Sequence, residues 1–250
     1  MKESASESFQ DPSLQSIDYT ALERIGLARP VDRLAYLENA AKGKIVFDLG
    51  ALDETAYQAK RQTENWLHAR LYRSAARVVG FDNSALVPSE GLETNPNAKI
   101  INSNIFDLDA AIIKYGKPDI IIAGELIEHL PNTTQLLMSL KGNPALTSVE
   151  FIFSTPNACS WYNLFLGLFN RESTHQDHLQ IYSYKSLRTL FKNSGLELTS
   201  LQPYHTKFHE MIEGSSGLKR YTVIAFEKLV NSLEFFTPIL SGGWIGRTRI

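Results

Sequence analysis

Cysteine is almost absent from this 250-residue sequence, which contains only Cys159. A single cysteine cannot form a disulfide within the chain, as is typical of a reducing compartment, and it excludes a metal site built from several thiolates. The opening MKESASESFQDPSLQS lacks the apolar core of a secretory signal, so residues 1–17 are predicted to be a flexible polar tail. Together these features predict a cytoplasmic protein.

Long apolar runs and excess positive charge are also missing. The longest apolar stretch, WYNLFLGLF at 161–169, is far shorter than the roughly 20 residues that span a bilayer, which predicts no transmembrane helix. The net charge is −2, whereas strong nucleic-acid binders usually carry a basic face. The charge therefore argues against long nucleic acid as a partner and leaves small RNA open.

Short apolar segments alternate with longer periodic ones from residue 44 onward. Because the short segments are apolar throughout, they predict a mostly parallel sheet that is buried on both faces. The predicted strands are Lys44–Leu49, Arg77–Phe81, Lys99–Asn102, Asp119–Ala123, Val149–Ser154, Leu196–Leu201 and Tyr221–Glu227. Helical spacing of apolar residues over 56–75 predicts one crossover helix between the first two strands. The pattern indicates a doubly wound α/β fold with a seven-stranded sheet and helices on both faces.

This pattern predicts a single domain over residues 18–230. Within it, a cap segment is expected at about 158–176 and a loop excursion at 205–220. The final SGGWIGRTRI has no repeating pattern, so residues 231–250 are predicted to be a C-terminal tail.

Polar residues follow the first strands, at the edge where open parallel sheets bind ligands. Asp82 ends the second strand, where a carboxylate can accept hydrogen bonds from both hydroxyls of a ribose. Gly50 is followed by Leu52, Asp53 and Glu54, and this bulky side chain and two carboxylates would disfavour the pyrophosphate of NAD. S-adenosylmethionine, a cationic sulfonium, is compatible with these acids. The sequence therefore favours S-adenosylmethionine over NAD.

Two acids and a histidine follow the fourth strand in AGELIEHLPN, at 123–132. Glu125, Glu128 and His129 are spaced i, i+3 and i+4, so one helical turn would bring them to one side of the strand end. They also have structural explanations, because acids are favoured at helix starts and a histidine can serve as a hydrogen-bonded edge residue. From the residues alone, a structural and a chemical role are both open.

Six segments in order, VFDLG (46–50), GFD (80–82), SNIF (103–106), GELIEHL (124–130), FSTPN (153–157) and HLQIYSYKSLRTLFKNSGLEL (178–198), resemble the motifs of class I S-adenosylmethionine-dependent methyltransferases. This resemblance covers residues 45–227 and implies a Rossmann-like fold, methyltransferase activity (EC 2.1.1) and S-adenosylmethionine as the cofactor. The cofactor-binding residues it implies are Asp48, Leu49, Gly50, Ala51, Asp82, Asn83, Asn104, Ile105 and Gly124. Leu52 departs from the pattern, since most members have a second glycine there. That departure supports an alternative, a degenerate methyltransferase fold that serves as a binding or scaffold protein.

The run E-x-x-E-H with a later histidine resembles two groups of that family, the ubiquinone-biosynthesis O-methyltransferases and the small-RNA 2′-O-methyltransferases. The resemblance implies one divalent metal, Mg²⁺, Mn²⁺ or Zn²⁺, held by Glu125, Glu128, His129 and His178. His175, three residues before His178, could substitute for it. Catalytic roles are implied for Glu128, His129 and His178, because a hydroxyl is a poor nucleophile until its proton is removed or its oxygen is held by a metal. Metal-free catalysis with His129 or His178 as general base is the alternative.

The methyl acceptor has no readable signature in the sequence. The negative net charge favours O-methylation of a small molecule, a sugar or a glycan precursor over methylation of long RNA. Apolar residues at helical spacing within Trp161–Phe169 predict a cap packed over the site, with a peripheral membrane contact as the alternative. No pattern indicates an oligomeric state.

Overall fold

The computed structural model describes residues 23–53, 57–61 and 63–250, so the predicted tail over 1–17 and Glu54 lie outside the described residues. Within these ranges, eight strands form one sheet: β1 (Ile45–Leu49), β2 (Arg77–Asp82), β3 (Leu92–Asn95), β4 (Ala98–Asn102), β5 (Ile120–Gly124), β6 (Glu150–Pro156), β7 (Leu198–Tyr204) and β8 (Gly243–Arg249). Their order across the sheet is β3-β4-β2-β1-β5-β6-β8-β7. The five strands from β4 to β6 in this order pair in parallel, while β3 and β8 are antiparallel to their neighbours. The predicted α/β fold is confirmed, with eight strands in place of seven.

Helices cover both faces of this sheet. They are α1 (Arg33–Ala41), α2 (Tyr57–Lys60), α3 (Leu67–Ser74), α4 (Asp109–Tyr115), α5 (Thr133–Gly142), α6 (Trp161–Gly167), α7 (Tyr184–Asn193), α8 (His209–Glu213) and α9 (Gly217–Phe236). Their starts follow local chemistry: the Asp32 carboxylate accepts from the Ala35 N–H at the start of α1, and Ser183 forms a capping box with Ser186 at the start of α7. None of the helices in the described ranges is long and apolar enough to cross a membrane.

The core lies in two layers, one on each side of the central strands. In β5, Ile121 packs with the cluster under α5 and α7, whereas Ile120 and Ile122 pack with the cluster under α1 and α3. Successive side chains of a strand point to opposite faces, so a strand covered on both sides must be apolar at every position. This explains why the central strands are uninterrupted apolar runs.

The crossover between β1 and β2 differs from the prediction of one helix over 56–75. In the described part of this segment the helix is divided into α2 and α3. At the division the Thr63 hydroxyl donates to the Lys60 carbonyl at 2.9 Å, and the Trp66 indole donates to the Ala51 carbonyl at 3.0 Å. Such side-chain bonds to the backbone compete with a continuous helix, and here they bring Trp66 next to the end of β1.

The C-terminal third also corrects the sequence analysis. The predicted strand Tyr221–Glu227 lies inside α9, whose buried stripe is Val223, Val230 and Glu234 at helical spacing. The predicted loop excursion over 205–220 contains α8 and the first turn of α9. β-branched and aromatic residues over 221–227 favour a strand by local preference. In the structure this segment is helical, and the helix packs on the domain through its buried stripe.

The predicted C-terminal tail over 231–250 is likewise wrong, because this range contains the end of α9 and β8, which lies between β6 and β7. The glycines of β8 permit close packing in the sheet. A Cβ at Gly246 would lie 2.2 Å from the ring of Phe153, and one at Gly243 would lie 2.1 Å from the ring of Tyr204. Glycine is needed here because aromatic rings of neighbouring strands occupy the space of its missing side chain.

We expect Trp244→Ala to lower the free energy of unfolding by about 3–5 kcal/mol, measured by urea denaturation. Trp244 in β8 is fully buried, and its ring lies 5.6 Å from that of Tyr184. Ile113→Ala is the control, since this side chain of α4 is 88% exposed and its loss should cost less than about 0.5 kcal/mol. Wild-type stability in Trp244→Ala would show that β8 is not part of the core.

Candidate active site

A cavity of about 700 Å³ opens at the carboxyl ends of β1, β2 and β5. Five of the nine predicted cofactor residues line it, namely Asp48, Gly50, Ala51, Asp82 and Gly124. The other four, Leu49, Asn83, Asn104 and Ile105, lie outside its walls, and their cofactor contacts stay predictions. The strand ends thus bring together the predicted residues of the first, second and fourth motifs.

The glycines of these strand ends shape the cavity. Gly50 has a φ of +71°, and a Cβ there would lie 2.9 Å from the Leu126 side chain. At Gly124 a Cβ would lie 2.2 Å from the Leu67 side chain. Both positions therefore need glycine, the first for its left-handed backbone as well as for space.

Leu52 does not intrude on the cavity. Its side chain is fully buried in a cluster with Trp66, Ala69 and Ile100, so it packs into the core beneath the loop. The Leu52 N–H donates to Oδ2 of Asp82 at 2.9 Å, and Oδ1 of Asp82 accepts from the Ser84 N–H at 2.9 Å. Each carboxylate oxygen has a second lone pair, so Asp82 can still accept from ligand hydroxyls. The sequence analysis placed this bulky side chain near a bound cofactor, and the structure corrects that placement.

A buried hydrogen-bond partner of Asp48, His68, escaped sequence analysis. Asp48 and His68 are both almost fully buried, with Oδ2 of Asp48 2.8 Å from Nδ1 of His68. Nε2 of His68 lies 2.9 Å from the Thr94 hydroxyl. Burial raises the pKa of Asp48 above its ordinary value, and the hydrogen bond to His68 opposes this rise. The only signal in the sequence was a histidine on the inward face of the crossover segment.

A 3-10 turn at Ile127–His129 carries two of the four predicted metal ligands, Glu128 and His129, and the segment around residues 178–180 is hydrogen-bonded to it. The Leu179 and Gln180 N–H groups donate to the Glu128 carbonyl at 2.9 and 3.2 Å, and the Gln180 side-chain amide donates to the Leu130 carbonyl at 2.8 Å. These bonds place His178 beside the turn, with its ring centroid 4.6 Å from that of His129.

Three of the four predicted metal ligands come together at this turn. One possible ligand atom each from Glu128, His129 and His178 lies within 4.8 Å of the other two. His129 Nδ1 donates to the Asp177 carbonyl at 3.1 Å, because a carbonyl can only accept, and this leaves Nε2 available as a ligand. His175, predicted as a substitute for His178, lines the cavity with its ring centroid 5.5 Å from that of His178.

The Glu128 carboxylate is fully buried, and no hydrogen bond of normal distance and angle reaches either of its oxygens from the described residues, although the nearby Thr155 hydroxyl lowers its pKa. Burial, followed by the charge of Glu125, raises the pKa of Glu128 well above its ordinary value. Burial, followed by His129 and His175, lowers the pKa of His178. The turn thus concentrates groups whose charged forms are destabilised by their surroundings, as is common at functional sites.

Glu125, the fourth predicted ligand, has other partners. Its φ is +54°, a conformation unusual for a residue with a side chain, and its Oε1 accepts from the Tyr204 hydroxyl at 3.0 Å. The same oxygen lies 3.9 Å from Nη1 of Arg33, which also donates to the Ser154 hydroxyl at 3.2 Å. Arg33 and Tyr204 were not identified from the sequence, because they reach this carboxylate from distant parts of the chain.

Residues 23–201 match the family model described as a methyltransferase domain. The fold and the strand-end cavity define an S-adenosylmethionine-dependent class I methyltransferase (EC 2.1.1). The match covers most of the chain, which therefore belongs to this methyltransferase family. The search of curated proteins finds no match.

Solved structures share the fold at low sequence identity. The small RNA methyltransferase HEN1 is 13% identical with a TM-score of 0.51, over 92% of this chain and 27% of that one. A SAM-dependent methyltransferase from Archaeoglobus fulgidus is 14% identical with a TM-score of 0.49, over 87% and 91%. Magnesium protoporphyrin IX methyltransferase (ChlM) from Synechocystis PCC 6803, with bound SAH, is 13% identical with a TM-score of 0.49, over 86% and 79%. At such identity these likenesses concern the fold alone.

We expect Asp82→Ala to weaken the binding of S-adenosylmethionine by about 2–4 kcal/mol in calorimetric titration, because hydrogen bonds to the ribose hydroxyls would be lost. Asp82→Asn keeps one carbonyl acceptor and should lose less of the binding free energy for S-adenosylmethionine. Asp107→Ala, which removes an exposed acid outside the cavity, serves as the control. Unchanged affinity in Asp82→Ala would contradict the ribose role.

Proposed function

We propose that this methyltransferase transfers the methyl group to a hydroxyl oxygen with the assistance of one divalent metal. The observation that carries the proposal is the Glu128 carboxylate, which is fully buried, makes no hydrogen bond of normal geometry with the described residues, and lies next to His129 and His178. An isolated buried carboxylate is strongly destabilised unless it is protonated or paired with a cation. A divalent metal would provide that pairing.

The donor set fits a metal of intermediate hardness. One carboxylate and two imidazoles suit Zn²⁺ or Mn²⁺ better than Mg²⁺, which prefers oxygen ligands. We assign Glu128, His129 and His178 as ligands, with the Asp177 carbonyl orienting His129. Glu125 would have to leave its hydrogen bond with Tyr204 to become the fourth ligand.

The chain's own residues would align the reactants and tune their charges. Asp48, Asp53 and Asp82 line the cofactor cavity with acids that suit a cationic sulfonium, the source of the electrophilic methyl group. When bound, the metal would hold the acceptor hydroxyl and lower its pKa. Methyl transfer itself needs mainly the alignment of oxygen, methyl and sulfur, which fixed ligand residues at the cavity wall would provide.

The acceptor would enter through a second cavity of about 450 Å³, which shares Arg33, Lys60, Asn65 and Glu125 with the first. Its remaining wall is mixed. It combines apolar side chains such as Phe208 and Met211 with Tyr204 and with ionisable ones, namely Asp32, His205, Lys207, His209 and Glu213. Sites for small molecules usually have about 300–1,000 Å³ and this mixture of apolar walls and a few polar groups. The cavity supports a small molecule, a sugar or a glycan precursor as the acceptor, in preference to small RNA.

A metal-free mechanism is the second candidate, and one observation favours it. The lowered pKa of His178 keeps its imidazole neutral near neutral pH, so it could accept the proton of the acceptor hydroxyl. The scaffold alternative loses its main argument, because the Leu52 side chain is in the core and leaves the cavity open.

We expect Zn²⁺ or Mn²⁺ to raise the melting temperature of the wild-type protein and to leave that of Glu128→Gln unchanged. A ligand at 100 times its dissociation constant stabilises by about 2.7 kcal/mol, which a thermal scan resolves easily. Without metal, Glu128→Gln should be at least as stable as the wild type, because glutamine brings no charge into the buried site. Glu197→Gln, at an exposed acid, is the matched control. An equal metal shift in Glu128→Gln would remove Glu128 from the ligand set.

Chelation should abolish methyl transfer to a hydroxyl acceptor and leave S-adenosylmethionine binding nearly unchanged, since the ligand residues lie on a different wall from Asp82. A radiolabelled methyl-transfer screen over small hydroxylated acceptors, with and without chelator, would measure the first effect and calorimetry the second. Full activity in excess chelator, together with an inactive His178→Ala, would establish the general-base mechanism instead.

A further inference from the structure

The helix α9 exposes most of its apolar side chains. Only Val223, Val230 and Glu234 of its 20 residues are buried. Leu229, Leu233 and Phe236 recur at helical spacing and are 57%, 53% and 74% exposed. A contiguous exposed apolar surface of this kind marks a site of interaction.

The apolar surface continues onto α6, the predicted cap. The rings of Trp161 in α6 and Phe226 in α9 are in edge contact, with centroids 5.7 Å apart. Leu164, Phe165 and Leu168 follow Trp161 at i+3, i+4 and i+7, on the same side of the helix, and are 60%, 54% and 73% exposed. The two helices therefore form one surface, which we call the α6–α9 face.

The charges of the α6–α9 face have one sign. The helix α6 carries no charged residue, and the exposed charges of α9 are the cations Lys219, Arg220 and Lys228. Both acids of α9 are turned inward: Glu227 accepts from the Phe208 N–H at 2.8 Å, and Glu234 accepts from His205 Nδ1 at 2.8 Å. The exposed charges carried by the two helices themselves are therefore all positive, while the acids Glu172 and Glu213 lie in the flanking segments. An apolar face that carries these cations is complementary to a surface that is apolar inside and anionic at its rim.

We propose that the α6–α9 face binds the surface of an anionic phospholipid bilayer, with α9 lying in the interface. Apolar side chains would enter the boundary between headgroups and acyl chains, and the cations would contact anionic headgroups. Since no helix of the described ranges can cross a membrane, the contact is peripheral. Phe208 lines the second cavity and stacks on Phe226 at 5.7 Å, so the bound membrane would adjoin that cavity. This inference goes beyond the methyl-transfer proposal and does not depend on it.

Vesicle sedimentation with the full chain tests the proposal. The protein should bind vesicles of phosphatidylcholine with about 30% phosphatidylglycerol, and high salt should weaken the binding. Leu229→Glu should lower the partition coefficient about tenfold or more, because a leucine that would be buried in the bilayer is replaced by a charge that anionic lipid repels. Replacing Lys219 and Lys228 by glutamine should lower the partition coefficient on anionic vesicles about fivefold per charge removed. Binding to pure phosphatidylcholine vesicles should stay unchanged.

Ile113→Glu is the matched control, since it places the same charge at an exposed isoleucine of α4, outside the face, and should bind like the wild type. Circular dichroism would verify that each variant is folded. Equal vesicle binding by Leu229→Glu and the wild type, or no binding to anionic vesicles, would overturn the proposal. The proposal would also be overturned if the wild type formed a dimer without lipid and Leu229→Glu dissociated that dimer. In that case the α6–α9 face would bind a second copy of the chain.

Discussion

Parallel pairing of β1 with both β2 and β5 is the constraint on which the rest of this molecule depends. Leu49 is in register with Phe81 on one side and with Ala123 on the other. The residues that follow these three, Gly50, Asp82 and Gly124, therefore lie at the same level, and all three line the cavity at the strand ends. Any slip of one residue would turn the strands' side chains to the opposite faces and separate this row.

The 3-10 turn at Ile127–His129 illustrates a different balance, between a stable backbone and an unfavourably placed side chain. The backbone of Glu128 is well satisfied, since its carbonyl accepts two N–H groups from the segment that carries His178. The side chain of Glu128 is buried beside Glu125, and its two oxygens make no hydrogen bond of normal geometry with the described residues. The backbone hydrogen bonds thus hold a carboxylate in a buried position that destabilises its charged form. A bound cation would relieve this destabilisation.

The sequence predicted the parallel part of the sheet well and the C-terminal part poorly, for a physical reason. Strands buried on both faces are apolar at every position, and this signal located β1, β2, β4, β5 and β6 to within about two residues. The short polar β3, LETN, has no such signal. In β8 the deciding contact is tertiary, because Gly246 accommodates the ring of Phe153 from another strand. In α9 the residues over 221–227 form a helix although their local preference is for a strand.

Within the site, local spacing brought Glu128 and His129 together, the strand-end position identified Asp82, and the family resemblance supplied His178 and the role of Asp48. Residues that act through long-range contacts were out of reach. His68 meets Asp48, and Arg33 and Tyr204 meet Glu125, across separations that no local pattern encodes. Tertiary contacts also gave Glu125 partners that the spacing rule alone could not anticipate.

The position of β8 in the sheet has a consequence for how the chain folds. In the sheet, β7 pairs with β8 alone, and one edge of β6 is also completed by β8. A nascent chain that has produced β7 must therefore continue through β8 before β7 can pair in the sheet and before the edge of β6 opposite β5 is covered. Until then that edge of an apolar strand is open to pairing with other chains, so the interval between the synthesis of β7 and that of β8 exposes this protein to misassembly.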